Sequence, residues 1–179
     1  MRKALEQVIE LPEGVQISLV GSQLILKGKE GSVERQFPRS IFFENKESKL
    51  RIYHAQATKK EKKLINTTAA HIRNMIKGVV EPFKYTLKVC NVHFPMTVSV
   101  VGENVIIKNF LGEVKERKAS ILPGIKVKID KDIISVSGCD KDKTGQTAAN
   151  IETATKIRNR DRRIFQDGIF ITEKAGVEI

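Results

Sequence analysis

The sequence offers few residues that could carry out catalysis or hold a metal. Its three histidines, His54, His71 and His93, have no nucleophile or ligand partner at a spacing typical of an active site. Acids are paired within residues 130–132 and 140–142, but lysines surround both pairs, and a calcium loop needs more oxygen ligands. We therefore expect no catalytic residue, no metal site and no cofactor.

Arginine is concentrated near the end of the chain, among residues 156–163. The basic residues there are Lys156, Arg158, Arg160, Arg162 and Arg163. The planar guanidinium group suits bidentate contact with phosphate and stacks on bases. Asn159 adds an amide that can bond a base edge or a sugar hydroxyl. These residue types predict a nucleic acid contact.

A second polar segment, residues 141–146, lies at the N-terminus of a predicted helix. It contains Lys141, Lys143, Thr144 and Gln146. Because backbone N–H groups at a helix N-terminus favour an anion, we expect this loop to join the arginines at one polar end of the fold. The chain has no Trp and two Tyr, so docking on a double-helical backbone is favoured over stacking on single strands.

Composition agrees with a nucleic acid partner. The 179 residues include 32 Lys and Arg against 21 Asp and Glu, a net charge of +11, and 40% are hydrophobic. That apolar content is enough for packed cores. We find neither a membrane-spanning run nor a signal peptide and expect a cytoplasmic protein, with Cys90 and Cys139 as buried, reduced thiols.

Charge is spread unevenly between the two halves. Residues 1–89 hold 17 basic and 9 acidic residues, and residues 59–63 contain four lysines at the predicted start of a helix. Cations there oppose the helix dipole, a small cost that water or a phosphate partner can offset. The sequence leaves both alternatives open.

The chain is an internal repeat. Residues 15–36 align with residues 96–117 without a gap, and seven of the 22 pairs are identical. Ile72-Arg73-Asn74 then reappears as Ile157-Arg158-Asn159. Similarity over half a chain indicates two copies of one fold, which we place at residues 1–90 and 91–179.

Each copy reads as strands followed by one helix. Alternating apolar residues around the Gly21 and Gly102 turns predict hairpins. Helical periodicity predicts helices over residues 59–77, ending at Gly78, and 144–158, with a further strand at 114–118. The predicted fold class is α+β: two tandem antiparallel sheet domains, each packed against one α-helix.

Two motifs carry a resemblance to a known family. Residues 138–141 and 145–151 resemble the G-x-D-K…G-Q-x-A-A-x-I motif of the universal large-ribosomal-subunit protein six family. Residues 157–170 are similar to the archaeal and eukaryotic branch, which ends in R-x-F-x-D-G-I-[FY]. The resemblance extends over the whole chain, including the two-copy plan.

The resemblance implies a structural, non-enzymatic constituent of the large ribosomal subunit. It implies large-subunit rRNA and neighbouring proteins as partners, near the stalk base and the sarcin–ricin loop, with the second domain making most of the RNA contact. By motif match the contact residues are Lys141, Lys143, Gln146, Asn150, Arg158, Asn159, Arg160, Arg162 and Arg163. Gly145 would allow close approach of the backbone. The chain stops soon after residue 174 without a Lys-rich extension, which favours an archaeal type.

Two other functions remain open from the sequence. One is a non-ribosomal RNA-binding or assembly module, and the other is a hydrolase with an unfamiliar site. Sedimentation with large ribosomal subunits would separate both from the ribosomal hypothesis. We expect neither a membrane nor a small-molecule substrate as a partner.

Overall fold

The computed structural model describes residues 3–46, 49–161 and 163–179 and divides the chain into two compact units, Met1–Pro82 and Phe83–Ile179. In each, antiparallel strands are packed against one α-helix, which confirms the predicted α+β class. The domain boundary expected near residue 90 falls one strand too late, because residues 83–90 form a strand that pairs within the second unit.

The first unit is built from two three-stranded sheets and a long helix. Its elements are β1 (Lys3–Glu10), β2 (Gln16–Val20), β3 (Gln23–Lys27), β4 (Ser32–Gln36), β5 (Phe42–Lys46), β6 (Lys49–Ala57) and α1 (Lys59–Val80). The sheet orders are β1-β6-β5 and β2-β3-β4, and every pairing is antiparallel. Helix α1 packs on both sheets and so closes one core.

Helix α1 follows its predicted apolar stripe. Ile65, Ala69 and Ile72 are buried, as are Ile76 and Val79 farther along. The helix does not end at Gly78, because Val79 is needed in the core and the Glu30 N–H satisfies the Val79 carbonyl at 3.1 Å. Tertiary contacts thus override the glycine stop signal.

The second unit repeats this plan with more strands. Its elements are β7 (Phe83–Cys90), β8 (Thr97–Val101), β9 (Asn104–Lys108), β10 (Arg117–Ser120), β11 (Lys126–Asp130), β12 (Ile133–Gly138), α2 (Lys141–Ala154), β13 (Gly168–Lys174) and β14 (Val177–Glu178). The sheets run β10-β9-β8 and β11-β12-β7-β13-β14.

Strand β7 explains the boundary. It pairs antiparallel with β12 on one side and β13 on the other, at the centre of the larger sheet. Tyr85, Leu87 and Val89 are buried in the second core. Residues 83–90 therefore belong to the second unit, because their alternating apolar side chains fill its core rather than that of the first unit.

Several local predictions in the second unit need correction. The strand expected at residues 114–118 starts at Arg117, after a 3₁₀ turn at Phe110–Gly112 that buries Phe110 and leaves Val114 in solvent. Helix α2 begins at Lys141 and ends at Ala154, earlier than predicted at both ends. Cys90 and Cys139 form no disulfide within the described residues and are only partly buried.

Removing a core side chain of α1 should destabilise the first unit. We expect Ile72→Ala to lower its free energy of unfolding by about 2–5 kcal/mol, because the fully buried side chain leaves a cavity. Urea denaturation followed by circular dichroism measures this. Thr67→Ala is the control on the same helix, since the Thr67 side chain is exposed and donates only to the Lys63 carbonyl. Equal stabilities of the two variants would contradict the assigned core.

Candidate nucleic-acid interface

Residues 156–163, the arginine segment, leave helix α2 instead of extending it. The helix ends at Ala154, and the next residue, Thr155, is buried. Thr155 Oγ1 donates to the Glu152 carbonyl at 3.1 Å and accepts the Ile169 N–H at 2.9 Å. The start of the arginine segment is thereby tied to the first residues of β13.

Arg117 holds the same helix end from the opposite side. Its Nη1 donates to the Ala154 carbonyl at 2.9 Å and the Lys156 carbonyl at 3.4 Å, and its guanidinium lies 4.3 Å from the centre of the Phe110 ring. Glu113 accepts two further bonds from Arg117, which lower the pKa of that carboxyl. Arg117 therefore caps the carbonyls that a helix C-terminus leaves without partners.

The strand registers show why sequence comparison missed Arg117. In the first unit Leu26 pairs with Val33, whereas in the second unit Ile107, the counterpart of Leu26, pairs with Arg117. The ungapped alignment matched Val33 to Val114, so the second copy has gained three residues in this turn. Arg117 occupies the position of a buried valine, and only the pairing reveals it.

A buried carboxylate anchors the other end of the arginine segment. Asp167 is 1% exposed and accepts the backbone N–H groups of Val92 and His93 at 2.7 and 2.8 Å and His93 Nδ1 at 2.6 Å. Burial alone would raise the pKa of the Asp167 carboxyl. The bonds from His93 and Val92 outweigh burial and lower the pKa to about 2, so the group is an anion at neutral pH.

Aromatic contacts extend this anchor outwards. The His93 ring lies 5.1 Å from the Phe165 ring, and the Arg160 guanidinium lies 4.8 Å from the centre of Phe165. Asp167 thus orients His93, which supports Phe165, which in turn supports an arginine of the segment. Arg160 is held against the protein surface while it remains exposed.

Four further side chains of the arginine segment face solvent. Lys156, Arg158, Asn159 and Arg163 are exposed, and in the described part of the segment Lys156 and Arg158 form no ion pair. Asn159 has a φ of 58°, the left-handed conformation that asparagine tolerates in a turn. Arg163 pairs with Asp161 at 2.9 Å, which lowers the pKa of that carboxyl. Arg162 lies outside the described residues.

The predicted anion site at the start of α2 is already filled. Residues 141–146 are helix, not loop, and Asp140 is the N-cap, whose carboxylate accepts the N–H groups of Asp142 and Lys143 at 2.9 and 3.4 Å. The N–H groups proposed for a phosphate are therefore occupied by an anion of the protein. Lys141 and Lys143 remain as side-chain cations, and Lys141 lies 5.7 Å from the Phe83 ring.

Two residues near this helix start have structural roles. Thr144, expected to bind RNA, is fully buried and donates to the Asp140 carbonyl at 2.6 Å. A Cβ at Gly145 would lie 3.1 Å from the Tyr85 hydroxyl, so this glycine allows the helix to pack closely on β7. The sequence alone could not separate packing within the protein from contact with RNA, because small side chains are compatible with both.

Gln146 and Asn150 lie one turn apart on the outer part of α2. Gln146 Nε2 donates to Asn150 Oδ1 at 2.9 Å, and Asn150 Nδ2 donates to Ser120 at 3.1 Å. Lys141 and Lys156 lie at opposite ends of the helix, about 20 Å apart along its axis. The expected single polar end is therefore wrong: the structure gives one basic group at each end.

Comparison with known proteins identifies the family. The family model described as Ribosomal protein L6 matches residues 11–81 and 94–168. The chain belongs to the ribosomal protein L6 family. The two matched segments coincide with the two copies of the repeat, so the resemblance to the large-subunit protein six family is confirmed.

Several archaeal proteins similar to this chain are named large ribosomal subunit protein uL6. The protein from Methanosarcina mazei is 45% identical over 98% of this chain and 100% of its own length. Those from Aeropyrum pernix and Ignicoccus hospitalis are 44% and 42% identical, over 93% and 92% of this chain and 92% and 91% of their own lengths. These matches agree with the archaeal and eukaryotic branch. Within the described residues, neither helix is long and apolar enough to cross a membrane.

The Asp167 anchor should be visible in the acid stability of the protein. Because its pKa is lower in the folded chain, its contribution is complete above about pH 4 and is lost as the pH falls towards 2. We expect Asp167→Asn to destabilise the protein by about 2 kcal/mol at pH 6, since a charged, buried acceptor is lost. Thermal unfolding of both proteins between pH 6 and pH 2 measures the difference.

The difference between the two proteins should shrink as the pH approaches 2. Asp130→Asn is the control, because that carboxylate is exposed at the end of β11. A difference between Asp167→Asn and the unsubstituted protein that stays constant down to pH 2 would contradict the assigned role.

Proposed function

We propose that this chain is a structural constituent of the large ribosomal subunit and binds its ribosomal RNA, mainly through the second unit. Membership of the L6 family supports the assignment, as do its relatives named large ribosomal subunit protein uL6. The observation that supports the RNA contact is the arginine segment, whose backbone is fixed at both ends while Lys156, Arg158, Arg160 and Arg163 are exposed.

Fixing the backbone matters because RNA binding would otherwise have to order a mobile loop. Thr155 and Arg117 hold the first residues of the segment, and Asp167 holds the residues that follow it. A segment ordered before binding loses less conformational entropy when it meets phosphate. Guanidinium groups can then form bidentate bonds with phosphate oxygens, which position the RNA without reading its sequence.

The proposed contact residues form two groups. The group at the C-terminal end of α2 comprises Lys156, Arg158, Asn159, Arg160, Arg162 and Arg163. The group at the start and outer side of α2 comprises Lys141, Lys143, Gln146 and Asn150. Thr144 is no longer included, because its side chain is buried. The cations at the two ends of α2 lie about 20 Å apart, which favours contact with more than one stretch of folded RNA backbone.

The finer location follows only from the resemblance. It places the protein on the cytoplasmic large subunit, near the stalk base and the sarcin–ricin loop, beside other large-subunit proteins. The role is structural, so no reaction, cofactor or small-molecule substrate is proposed. Hydroxyl-radical footprinting of the assembled subunit tests the location: protections confined to other rRNA regions would overturn it and leave rRNA binding intact.

Removing cations from the arginine segment should weaken rRNA binding. We expect Arg158→Gln with Arg160→Gln to raise the Kd for large-subunit rRNA at least about 10-fold. The dependence of log K on log salt should fall by about 2, since each lost phosphate contact contributes about 0.9 for duplex DNA. Filter binding over a salt series measures both.

Lys126→Gln with Lys128→Gln is the matched control, because it removes two exposed cations from β11 of the same unit. Equal effects of the two pairs would contradict the assigned surface. If the unsubstituted protein sediments free of large subunits in cell extracts, the ribosomal assignment fails and a non-ribosomal RNA-binding module takes its place.

A further inference from the structure

The outer face of helix α1 is basic along almost its whole length. Seven exposed residues lie on it, with Lys62 and Lys63 adjacent and every other step three or four residues long. We name them the α1 stripe: Lys59, Lys62, Lys63, Asn66, Ala70, Arg73 and Lys77. This spacing places them on one face of an α-helix. The stripe extends over about 27 Å and contains no acid.

Packing of the opposite face of α1 against the sheets turns the stripe towards solvent. The opposite face carries Ile65, Ile72 and Val79, which are buried against the sheets of the first unit. The single acid of the helix, Glu61, is turned away from the stripe and joins the N-terminal capping box. Hydrogen bonds from Thr58 lower the pKa of Glu61 to about 2, so this carboxylate is committed to the helix end.

Gln7 of β1 forms hydrogen bonds with two residues of the stripe. Gln7 Nε2 donates to Asn66 Oδ1 at 2.7 Å, and Arg73 Nη2 donates to Gln7 Oε1 at 3.5 Å. Because the Asn66 oxygen is used by Gln7, the amide NH₂ of Asn66 is the group left for a partner. The stripe therefore presents donors only: ammonium, guanidinium and amide groups.

The second copy of the fold shows that a helix in this position does not need such charge. The exposed positions of α2 include Lys143, Gln146 and Thr153, with an acid at Asp142. That helix is equally well packed, with Ala148 and Ile151 fully buried. Solvation of the helix surface therefore does not account for five cations on α1.

We infer that the α1 stripe binds a second segment of double-helical RNA. Lys63 and Arg73 are separated by about 15 Å along the helix axis, so the two basic groups can reach phosphates on opposite strands of a groove. The A-form minor groove is wide and shallow, and it displays 2′-hydroxyls and base acceptors. Asn66 and Ala70 lie between the cations. The Asn66 amide can donate to acceptors on the floor of this groove, and the small Ala70 side chain allows close approach.

Other partners fit the stripe less well. It has no aromatic side chain on which unpaired bases could stack, which disfavours single-stranded RNA. A membrane-surface helix inserts its apolar face into lipid, whereas the apolar face of α1 is buried in the core. The donor-only surface matches the acceptor-rich backbone of an RNA helix. The RNA is ribosomal if the proposed function holds.

Charge removal tests the stripe. We expect Lys62→Gln, Arg73→Gln and Lys77→Gln together to weaken binding of the full chain to a fully paired RNA duplex at least about 10-fold and to lower the salt slope by about 2 to 3. Glutamine has a helix propensity close to that of lysine and arginine, so circular dichroism should be unchanged. The control, Lys27→Gln, Arg39→Gln and Lys49→Gln, removes three exposed cations of the same unit and should have an effect below about 3-fold.

Footprinting on large-subunit rRNA separates this inference from the proposed function. The triple variant of the stripe should lose one set of backbone protections, and Arg158→Gln with Arg160→Gln should lose a different set. An unchanged footprint for the stripe variant, or cross-links from the stripe only to a protein, would overturn the inference while rRNA binding by the second unit stands. A wild-type chain without any protections would instead refute the proposed function.

Discussion

Each unit of this protein depends on one constraint: a single helix must cover its antiparallel strands. The buried face of α1 is fixed by Ile65, Ile72 and Val79, and that of α2 by Ala148 and Ile151. Once those faces are committed to the cores, only the outer face and the ends of each helix remain for a partner. The two copies use these remaining surfaces differently.

In the first copy the positive charge lies along the helix, and in the second it lies at the two ends of the helix, with the arginines beyond its C-terminal end. The difference follows from what surrounds each helix. Helix α1 has 22 residues and a long exposed face, whereas α2 has 14 and ends beside Arg117 and β13. A short helix has few exposed positions for a row of cations, but its C-terminal end sets the direction in which the following loop leaves the helix. The duplication therefore gave two different basic surfaces on one fold.

Periodic features were predictable from the sequence, and long-range partners were not. The repeat, the hairpins and the apolar stripe of α1 depend on residues a few positions apart, so their spacing is visible in the chain. The pairing of β7 with β12 and β13, the Arg117 cap and the Asp167–His93 contact join residues 37 to 89 positions apart. No local pattern encodes such partners. The structural role of Thr144 was missed because its hydroxyl suits the start of a helix as well as an RNA contact.

The buried Asp167 carboxylate in the proposed RNA-binding unit indicates that a rigid backbone matters more for binding than the highest possible positive charge. A buried carboxylate beside an arginine-rich segment reduces the local positive potential and would weaken binding if charge alone decided affinity. Asp167, however, accepts three hydrogen bonds and holds the support of Phe165 and Arg160 in one arrangement. Long-range attraction is screened within about 8 Å at physiological salt, whereas the entropy saved by a fixed backbone is independent of salt. For a protein whose task is to hold RNA in place, a defined position of each arginine is worth more than one additional positive charge.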